Sequence, residues 1–365
     1  MKVSCLLLLM LFCFANSDDP LPCRFNDGSF GKCVDIKNCK SLYGLYRQGT
    51  VRVRDLPICD PVRRLICCPR ISSKKCKEYG RSAIESISSP NSVATCQFSP
   101  TSSFNEEGTR HLVTRFYNEW ARDASGSHNR EASVLRQFEF PHQAILGYQI
   151  NDEVKWICSG SLISLDFVLT AGRCISSIEY GAVKFVKLGA HNLNDGSKSM
   201  ILTVKQTFKH SKDRISALQN DIALLKLQGP VRSNGNIWPI CLPTRPYYDT
   251  RAIRTGFGEI PSQNLLKDVV SKFDQQVCKD SYGDRFNETT MLCYGHQTER
   301  TSNCIIDEGG PLQVSNDDQV NCTYTQIGIA SFGHSNCDST GVPSVYVNVY
   351  KYINWIEGIV WKDEA

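Results

Sequence analysis

The sequence predicts a mostly β protein, in which a small cysteine-rich module precedes a larger antiparallel barrel or sandwich and a closing helix. Three observations predict this fold class. Cysteines crowd the start of the chain, short apolar segments alternate with turn residues over its last 225 or so residues, and apolar residues recur at helical spacing at its end. A length of 365 residues is enough for two or three folded units.

The N-terminus has the pattern of a secretory signal peptide over residues 1–17. Lys2 precedes the apolar run Leu6 to Phe14, and Ala15-Asn16-Ser17 supplies small residues, which predicts cleavage after Ser17. The run is too short to span a bilayer, and no other stretch approaches about 18 uninterrupted apolar residues. We therefore expect a secreted, extracellular protein with no membrane span.

The composition excludes several classes of function. Lys and Arg number 41 against 37 Asp and Glu, and this net charge of +4 gives no basic field that would indicate nucleic acid. Two of the 18 cysteines, Cys5 and Cys13, are removed with the signal peptide. The remaining 16 are an even number in an oxidising compartment, which favours disulfides. The Cys/His spacings of zinc sites are absent, so neither a metal nor a cofactor is expected.

Residues 18–69 form the predicted cysteine-rich module, which has few large apolar side chains and needs covalent support of about 2–4 kcal/mol per bridge. Its spacing, C-x9-C-x5-C-x19-C-x7-C-C, resembles the clip domain of arthropod serine proteases. The resemblance implies the pairs Cys23-Cys67, Cys33-Cys59 and Cys39-Cys68. From the sequence alone, six cysteines allow 15 connectivities, and a generic disulfide knot is the alternative.

Residues 70–129 are rich in Ser, Asn, Lys, Glu and Arg, which predicts a linker. Cys76 and Cys96 interrupt it, and paired cysteines would fasten it to another part of the protein. Within it, apolar residues at helical spacing predict a short helix over His111 to Ala121.

Residues 130–365 form the predicted β domain, with a closing helix over Tyr350 to Trp361. The predicted strands are Ala144 to Gln149, Trp156 to Leu162, Phe167 to Thr170, Val183 to Leu188, Ile222 to Leu227, Gln326 to Ser331 and Val345 to Asn348.

Six motifs in this domain occur in an order that carries a family resemblance. They are Glu139-Phe140-Pro141-His142, Cys158-Ser159-Gly160-Ser161-Leu162-Ile163, Leu169-Thr170-Ala171-Gly172-Arg173-Cys174, Asn220-Asp221-Ile222-Ala223-Leu224-Leu225-Lys226-Leu227, Trp238-Pro239-Ile240-Cys241-Leu242-Pro243 and Asp307-Glu308-Gly309-Gly310-Pro311-Leu312. Through these motifs, roughly residues 130 to 361 resemble the chymotrypsin-like serine proteases. The resemblance implies two orthogonal six-stranded β-barrels with the site in the cleft between them.

The same resemblance implies disulfides in this domain. The expected bridges are Cys158-Cys174, Cys278-Cys293 and Cys304-Cys337. Related proteases pair a linker cysteine with the one in the Trp-Pro-Ile-Cys-Leu-Pro segment, which favours Cys76-Cys241 and leaves Cys96-Cys322. The sequence itself leaves all three pairings of these four cysteines open.

The three triad positions of this family are degenerate here. Catalysis needs a serine nucleophile, a histidine base and a buried aspartate. Asp221 is retained, but Arg173 stands at the histidine position of Thr-Ala-Ala-His-Cys, and Glu308 stands at the serine position of Gly-Asp-Ser-Gly-Gly-Pro. An arginine stays protonated and cannot accept the proton, so we predict no protease activity. Because the three triad side chains contact one another in the family, the resemblance implies a carboxylate, guanidinium, carboxylate cluster; the alternative is that Arg173 points into solvent and has little effect.

Supporting positions have changed too. Ile306 replaces a glycine of the oxyanion hole, Ser302 stands where trypsin-type pockets have aspartate, and Ser344 replaces a glycine of Pro-Gly-Val-Tyr. Asn129-Arg130-Glu131-Ala132 occupies the place of Ile-Val-Gly-Gly, so Asp307 is expected to lack the family's activating partner.

Two glycosylation sequons and two histidines are further candidate sites, for which the sequence gives less support. Asn287 and Asn321 are candidate glycosylation sites, the second weakened by Cys322 within its sequon. His142 and His191 are expected to be surface or packing residues rather than ligands.

The resemblance implies a secreted, non-catalytic protease homologue that acts as cofactor or regulator of a proteolytic cascade in arthropod haemolymph, linked to innate immunity and melanisation. Expected partners are other cascade proteases or their zymogens, and prophenoloxidase. One alternative is a microbial-surface recognition protein that acts through the clip module, and another is a hydrolase with rearranged catalysis. Titration into a reconstituted cascade separates the first from the others, because a cofactor changes another protease's rate or product without turnover of its own.

Overall fold

The computed structural model describes twelve stretches of the chain: residues 21–25, 30–87, 133–134, 139–194, 199–210, 220–233, 236–247, 249–257, 264–297, 307–316, 324–333 and 341–363. The signal peptide, the predicted helix at 111–121 and most of the predicted linker lie outside them. In the part of the chain that the structure describes, no helix combines the length and apolarity needed to cross a bilayer.

The chain divides into two compact units. The first contains the described residues up to Lys74 together with those from Ile353 onward, and the second covers Lys75 to Tyr352. The sequence predicted a β domain that runs to residue 365, but the structure groups its last helix with the N-terminal unit.

The first unit is built on a small antiparallel sheet of strand order β1-β2-β4-β3. Cys39, Leu56, Ile66 and Cys68 form its buried core, which is small because the module has few large apolar residues. Three disulfides supplement this core and join Cys23 to Cys67, Cys33 to Cys59 and Cys39 to Cys68. The elements are β1 (Pro22–Arg24), β2 (Phe30–Val34), α1 (Lys40–Arg47), β3 (Ile58–Asp60) and β4 (Leu65–Pro69).

A helix occupies the start of the segment that the sequence predicted to be a linker. This helix, α2, spans Ile71–Ile87 and carries Cys76, which forms a disulfide with Cys241. Its apolar residues are too sparse to predict a helix, and a helix of this composition depends on tertiary contacts for its stability.

The first barrel of the second unit contains six antiparallel strands closed on themselves. The order is β11-β12-β8-β7-β6-β10, the β10–β11 pairing closes it, and short β9 extends the β10 edge. Buried strand residues such as Leu146, Leu169, Val186 and Leu224 line its interior. The strands are β6 (Gln143–Ile150), β7 (Glu153–Leu162), β8 (Phe167–Thr170), β9 (Ser176–Ser177), β10 (Gly181–Leu188), β11 (Met200–Lys209) and β12 (Ala223–Leu227).

The second barrel repeats this architecture. Its strands follow the order β13-β16-β17-β18-β15-β14, the β13–β14 pairing closes the ring, and β5 (Ser133–Val134) pairs with β14. The predicted double barrel is therefore confirmed. The elements are β13 (Arg251–Gly256), β14 (Leu266–Lys272), α3 (Gln275–Tyr282), β15 (Met291–Gly295), β16 (Pro311–Ser315), β17 (Tyr324–Phe332) and β18 (Ser344–Asn348).

The chain closes with a single turn of 3-10 helix, Val349–Tyr352, followed by α4 (Ile353–Val360). The predicted C-terminal helix is confirmed. Ile353 and Ile356 are buried, as their helical spacing requires.

Candidate functional site

The two barrels contribute the residues at the three predicted triad positions from separate segments. Arg173 lies in the 3-10 turn Gly172–Ile175 after β8, and Asp221 lies two residues before the start of β12. The first barrel brings them side by side, because β8 and β12 pair with Thr170 opposite Ala223. Glu308 comes from the second barrel, in the turn before β16.

Asp221 is the buried anchor of the cluster, with a side chain only 2% exposed. Its Oδ1 accepts from the Arg173 backbone N–H at 2.9 Å. Its Oδ2 accepts from Arg173 Nε at 2.9 Å and from Ser331 Oγ at 2.6 Å. The carboxylate thus has three donors, which is what a buried charge requires.

The outer half of the cluster faces solvent. Arg173 Nη1 donates to Glu308 Oε1 at 3.2 Å, and Nη2 donates to Ser331 Oγ at 3.4 Å. The Arg173 side chain is 29% exposed and that of Glu308 48% exposed. The guanidinium therefore bridges a buried carboxylate and an exposed one, as the sequence predicts.

The carboxylate next to Glu308 has partners inside the domain. Asp307 Oδ2 accepts from Ser159 Oγ at 2.9 Å and from the Phe257 backbone N–H at 2.6 Å. The expectation from the sequence that Asp307 lacks the family's activating partner stays a prediction, because residues 129–132 lie outside the described residues. Ser159 lies directly after Cys158 in one of the six motifs, so a hydroxyl there was the available signal.

The backbone of the turn around Glu308 is fixed on both sides. The Ser159 N–H donates to the Glu308 carbonyl at 2.9 Å, and the Gly309 N–H donates to the Ala330 carbonyl at 2.8 Å. Gly309 has a φ of +81°, and a Cβ there would collide with the Thr170 side chain. Only glycine fits this turn.

Burial keeps two titratable side chains of this domain, Tyr148 and His142, in their neutral forms. Burial, reinforced by the charge of Glu308, raises the pKa of Tyr148, whose hydroxyl donates to the Cys174 carbonyl at 2.6 Å. Burial lowers the pKa of His142 to about 3, although a 2.6 Å hydrogen bond between Nε2 and Gln313 Oε1 opposes the shift. His142 therefore has a packing role, which agrees with the sequence-based expectation.

One group of side chains has metal-ligand spacing but does not fit a metal. Ligand atoms of Cys158, Cys174 and Glu308 lie within 4.8 Å of one another. The two sulfur atoms are joined in a disulfide, so neither can act as a thiolate ligand.

The remaining predicted residues lie in several places. Ser344 begins β18 and is buried, and the Asn287 side chain accepts from the Thr289 N–H at 2.9 Å between α3 and β15. A sixth described disulfide joins Cys278 to Cys293. Ser302, Ile306, Asn321 and the cysteines of the pairs Cys96-Cys322 and Cys304-Cys337 lie outside the described residues.

Two closed six-stranded barrels that both contribute to one cluster define the chymotrypsin-like class of protein. Residues 131–356 match the family model of trypsin, so the chain belongs to the trypsin family. A solved structure described as "Structure of GrC" has a TM-score of 0.52 at 23% identity, covers 63% of this chain and 98% of that one, and supports the fold.

The similar curated proteins include arthropod proteases. Serine protease snk of Drosophila melanogaster is 28% identical, over 93% of this chain and 78% of that protein. Trypsin-1 of Astacus astacus is 31% identical over 60% of this chain and 94% of that protein. The phenoloxidase-activating enzyme of Bombyx mori is 25% identical, over 93% of this chain and 82% of that protein.

Proposed function

We propose that this chain is a catalytically inactive clip-domain protease homologue, secreted into haemolymph, that regulates a proteolytic cascade. The observation that carries the proposal is the position of the Arg173 guanidinium, 2.9 Å from Asp221 and 3.2 Å from Glu308. The guanidinium occupies the place where the family's mechanism needs a neutral proton acceptor.

The chemistry of the cluster supports inactivity. Acyl transfer of this type needs a hydroxyl or thiol nucleophile and a base that can remove its proton. Glu308 has no hydroxyl, and Arg173 stays protonated at any physiological pH. Loss of a complete triad lowers turnover by a factor on the order of 10⁶.

The similar proteins support the cascade role. The matches to Serine protease snk and to the phenoloxidase-activating enzyme each extend over 93% of this chain, beyond the barrels. A fold that keeps its surface can still dock onto proteases and their substrates after its chemistry is lost. The proposed partners are cascade proteases or their zymogens, and prophenoloxidase.

Titration of the purified protein into a reconstituted cascade tests the proposal. The mixture contains an upstream protease zymogen and prophenoloxidase, and we expect the protein to change the rate or the products of zymogen cleavage in proportion to its concentration. In parallel, the protein alone should hydrolyse neither ester nor amide substrates. Turnover by the protein alone, or an unchanged cascade at saturating protein, would contradict the proposal.

One observation favours the second candidate, recognition of a microbial surface by the cysteine-rich module of residues 18–69. Lys and Arg outnumber Asp and Glu by 9 to 6 in this module, whereas the two groups number 30 and 28 over residues 70–352. Five of the nine exposed large hydrophobic side chains among the described residues also lie in this module: Leu21, Leu45, Tyr46, Ile58 and Val62. Salt-sensitive sedimentation with bacterial cells, without any effect on the cascade, would favour this candidate.

A further inference from the structure

The N-terminal unit contains a buried site that binds a carboxylate, located between the end of β4 and the start of α2. Glu357 of α4 occupies it with a side chain 2% exposed, and the Arg70 side chain beside it is 3% exposed. Ser72, the second residue of α2, is buried as well. A buried carboxylate is stable only when it is paired or hydrogen-bonded, so its partners show what holds it.

Two residues of the N-terminal unit supply those partners. Glu357 Oε1 accepts from the Ser72 backbone N–H at 3.1 Å and from Ser72 Oγ at 2.8 Å. Glu357 Oε2 lies 3.5 Å from Arg70 Nη1, which also donates to Asn354 Oδ1 at 3.0 Å. The two residues of α4 are three positions apart, so one helix face presents both acceptors.

The geometry at α2 explains why a carboxylate is bound there. The first N–H groups of a helix have no partner within the helix, and the macrodipole favours an anion at this end. Glu357 satisfies one of these N–H groups from 285 residues away, and the Arg70 guanidinium neutralises it. A further contact, Lys40 Nζ to the Lys362 carbonyl at 3.4 Å, joins α1 to the residues that follow α4.

We propose that Arg70 and Ser72 form a carboxylate-binding site whose ligand is the Glu357 helix, so that the residues directly after the cysteine-rich module hold the C-terminal helix noncovalently. The ligand class is a helix that presents a glutamate and, three residues earlier, an asparagine. The attachment persists when the chain between the module and the barrels is cut. It does not depend on whether the cluster at Arg173 is catalytic or on the cascade role.

Hydrogen exchange on the full chain tests the site. We expect Glu357→Ala to speed amide exchange at least tenfold in peptides that cover 66–80 and 349–363, with β6 and β7 unchanged. Glu357→Gln keeps an acceptor for Ser72 but loses the charge, so an increase of about threefold is expected; it also provides the measurement if the alanine variant is not secreted. The matched control is Glu153→Ala, which removes an ion pair whose glutamate is 74% exposed. Wild-type exchange at 66–80 in either Glu357 variant, or an equal effect in the control, would overturn the proposal.

A cut chain tests the attachment itself. A specific protease sequence is inserted after residue 110, and Cys76, Cys96, Cys241 and Cys322 are replaced by serine, so that none of these four cysteines can link the fragments. After cleavage the two fragments should elute together in gel filtration, and Glu357→Ala should separate them. Separation without the Glu357 change, or coelution with it, would refute the role of this site.

Discussion

Replacement of Arg173 by alanine should destabilise the protein by about 2–3 kcal/mol. A charge-assisted hydrogen bond contributes about 1.5–3 kcal/mol, and breaking a fully buried pair costs about 3–5 kcal/mol. We expect the stability loss of Arg173→Ala to lie below the second range, because Asp221 keeps two hydrogen-bond donors: the Ser331 hydroxyl at 2.6 Å and the backbone N–H of residue 173 at 2.9 Å. What is lost is the Nε contact and the positive charge that neutralises the buried carboxylate.

The exposed half of the cluster provides the matched control. Glu308 is 48% exposed, and exposed ion pairs contribute about 0–1 kcal/mol. Glu308→Gln should therefore cost less than about 1 kcal/mol, and 1 M salt should remove most of that difference. Arg173→Ala should retain its cost in salt, because Asp221 is buried.

Urea unfolding of the wild type, Arg173→Ala and Glu308→Gln at pH 7, monitored by tryptophan fluorescence, measures these differences in the free energy of unfolding. Hydrogen exchange at residues 172–175 and 307–310 localises them. A loss below about 1 kcal/mol for Arg173→Ala, or equal losses in both variants, would refute the reasoning that the former triad has become a structural ion cluster.

Four further outcomes are expected. The protein should not be labelled by active-serine phosphonate probes, and stoichiometric labelling mapped to Glu308 or its neighbours would contradict inactivity. Arg173→His combined with Glu308→Ser should stay more than tenfold below an ordinary trypsin-family protease in kcat/KM, because Ile306 and the missing Ile-Val-Gly-Gly remain. A cut after residue 110 should leave one band of unchanged mass on a non-reducing gel and two after reduction, since Cys76 is bonded to Cys241; a free N-terminal fragment without reductant would contradict the tether. Because burial lowers the pKa of His142 to about 3, the unfolded chain takes up the proton first as the pH falls below about 6.5. Stability should therefore fall by about 2 kcal/mol more between pH 7.5 and pH 5 in the wild type than in His142→Asn, as measured by urea unfolding.

The sequence predicted elements well where burial was visible in the apolar pattern. The strand Phe167–Thr170 was predicted with its bounds, because all four of its residues are buried. In contrast, β11 has no buried residue, and Lys205 and Gln206 are exposed in succession, so no buried face marked it in the sequence. The helix α2 was missed because its stability depends on partners that are distant in the chain, and no local pattern reports those.

The candidate site likewise has a part that local sequence predicts and a part that depends on residues distant in the chain. The positions of Arg173, Asp221 and Glu308 follow from motifs, and the ion pairs between them follow from charge. The hydroxyl of Ser331 does not, because it reaches Asp221 from a strand 110 residues further along the chain that carries no functional motif. A hydroxyl such as that of Ser331 reaches a distant carboxylate only after the barrels have closed, and the local sequence pattern does not specify which residues closure brings together.

The contact between Ser72 and Glu357 also sets an order of events during synthesis. At about 5–20 residues per second, a ribosome needs about 15–60 s to add the 285 residues that separate them. For most of that interval Arg70 and the first turn of α2 are outside the ribosome without their carboxylate, while Cys67 and Cys68 are already available for oxidation. The N-terminal unit therefore completes its folding only after residue 357 has been made, and a chain that terminates before residue 357 leaves the ribosome with that unit unfinished.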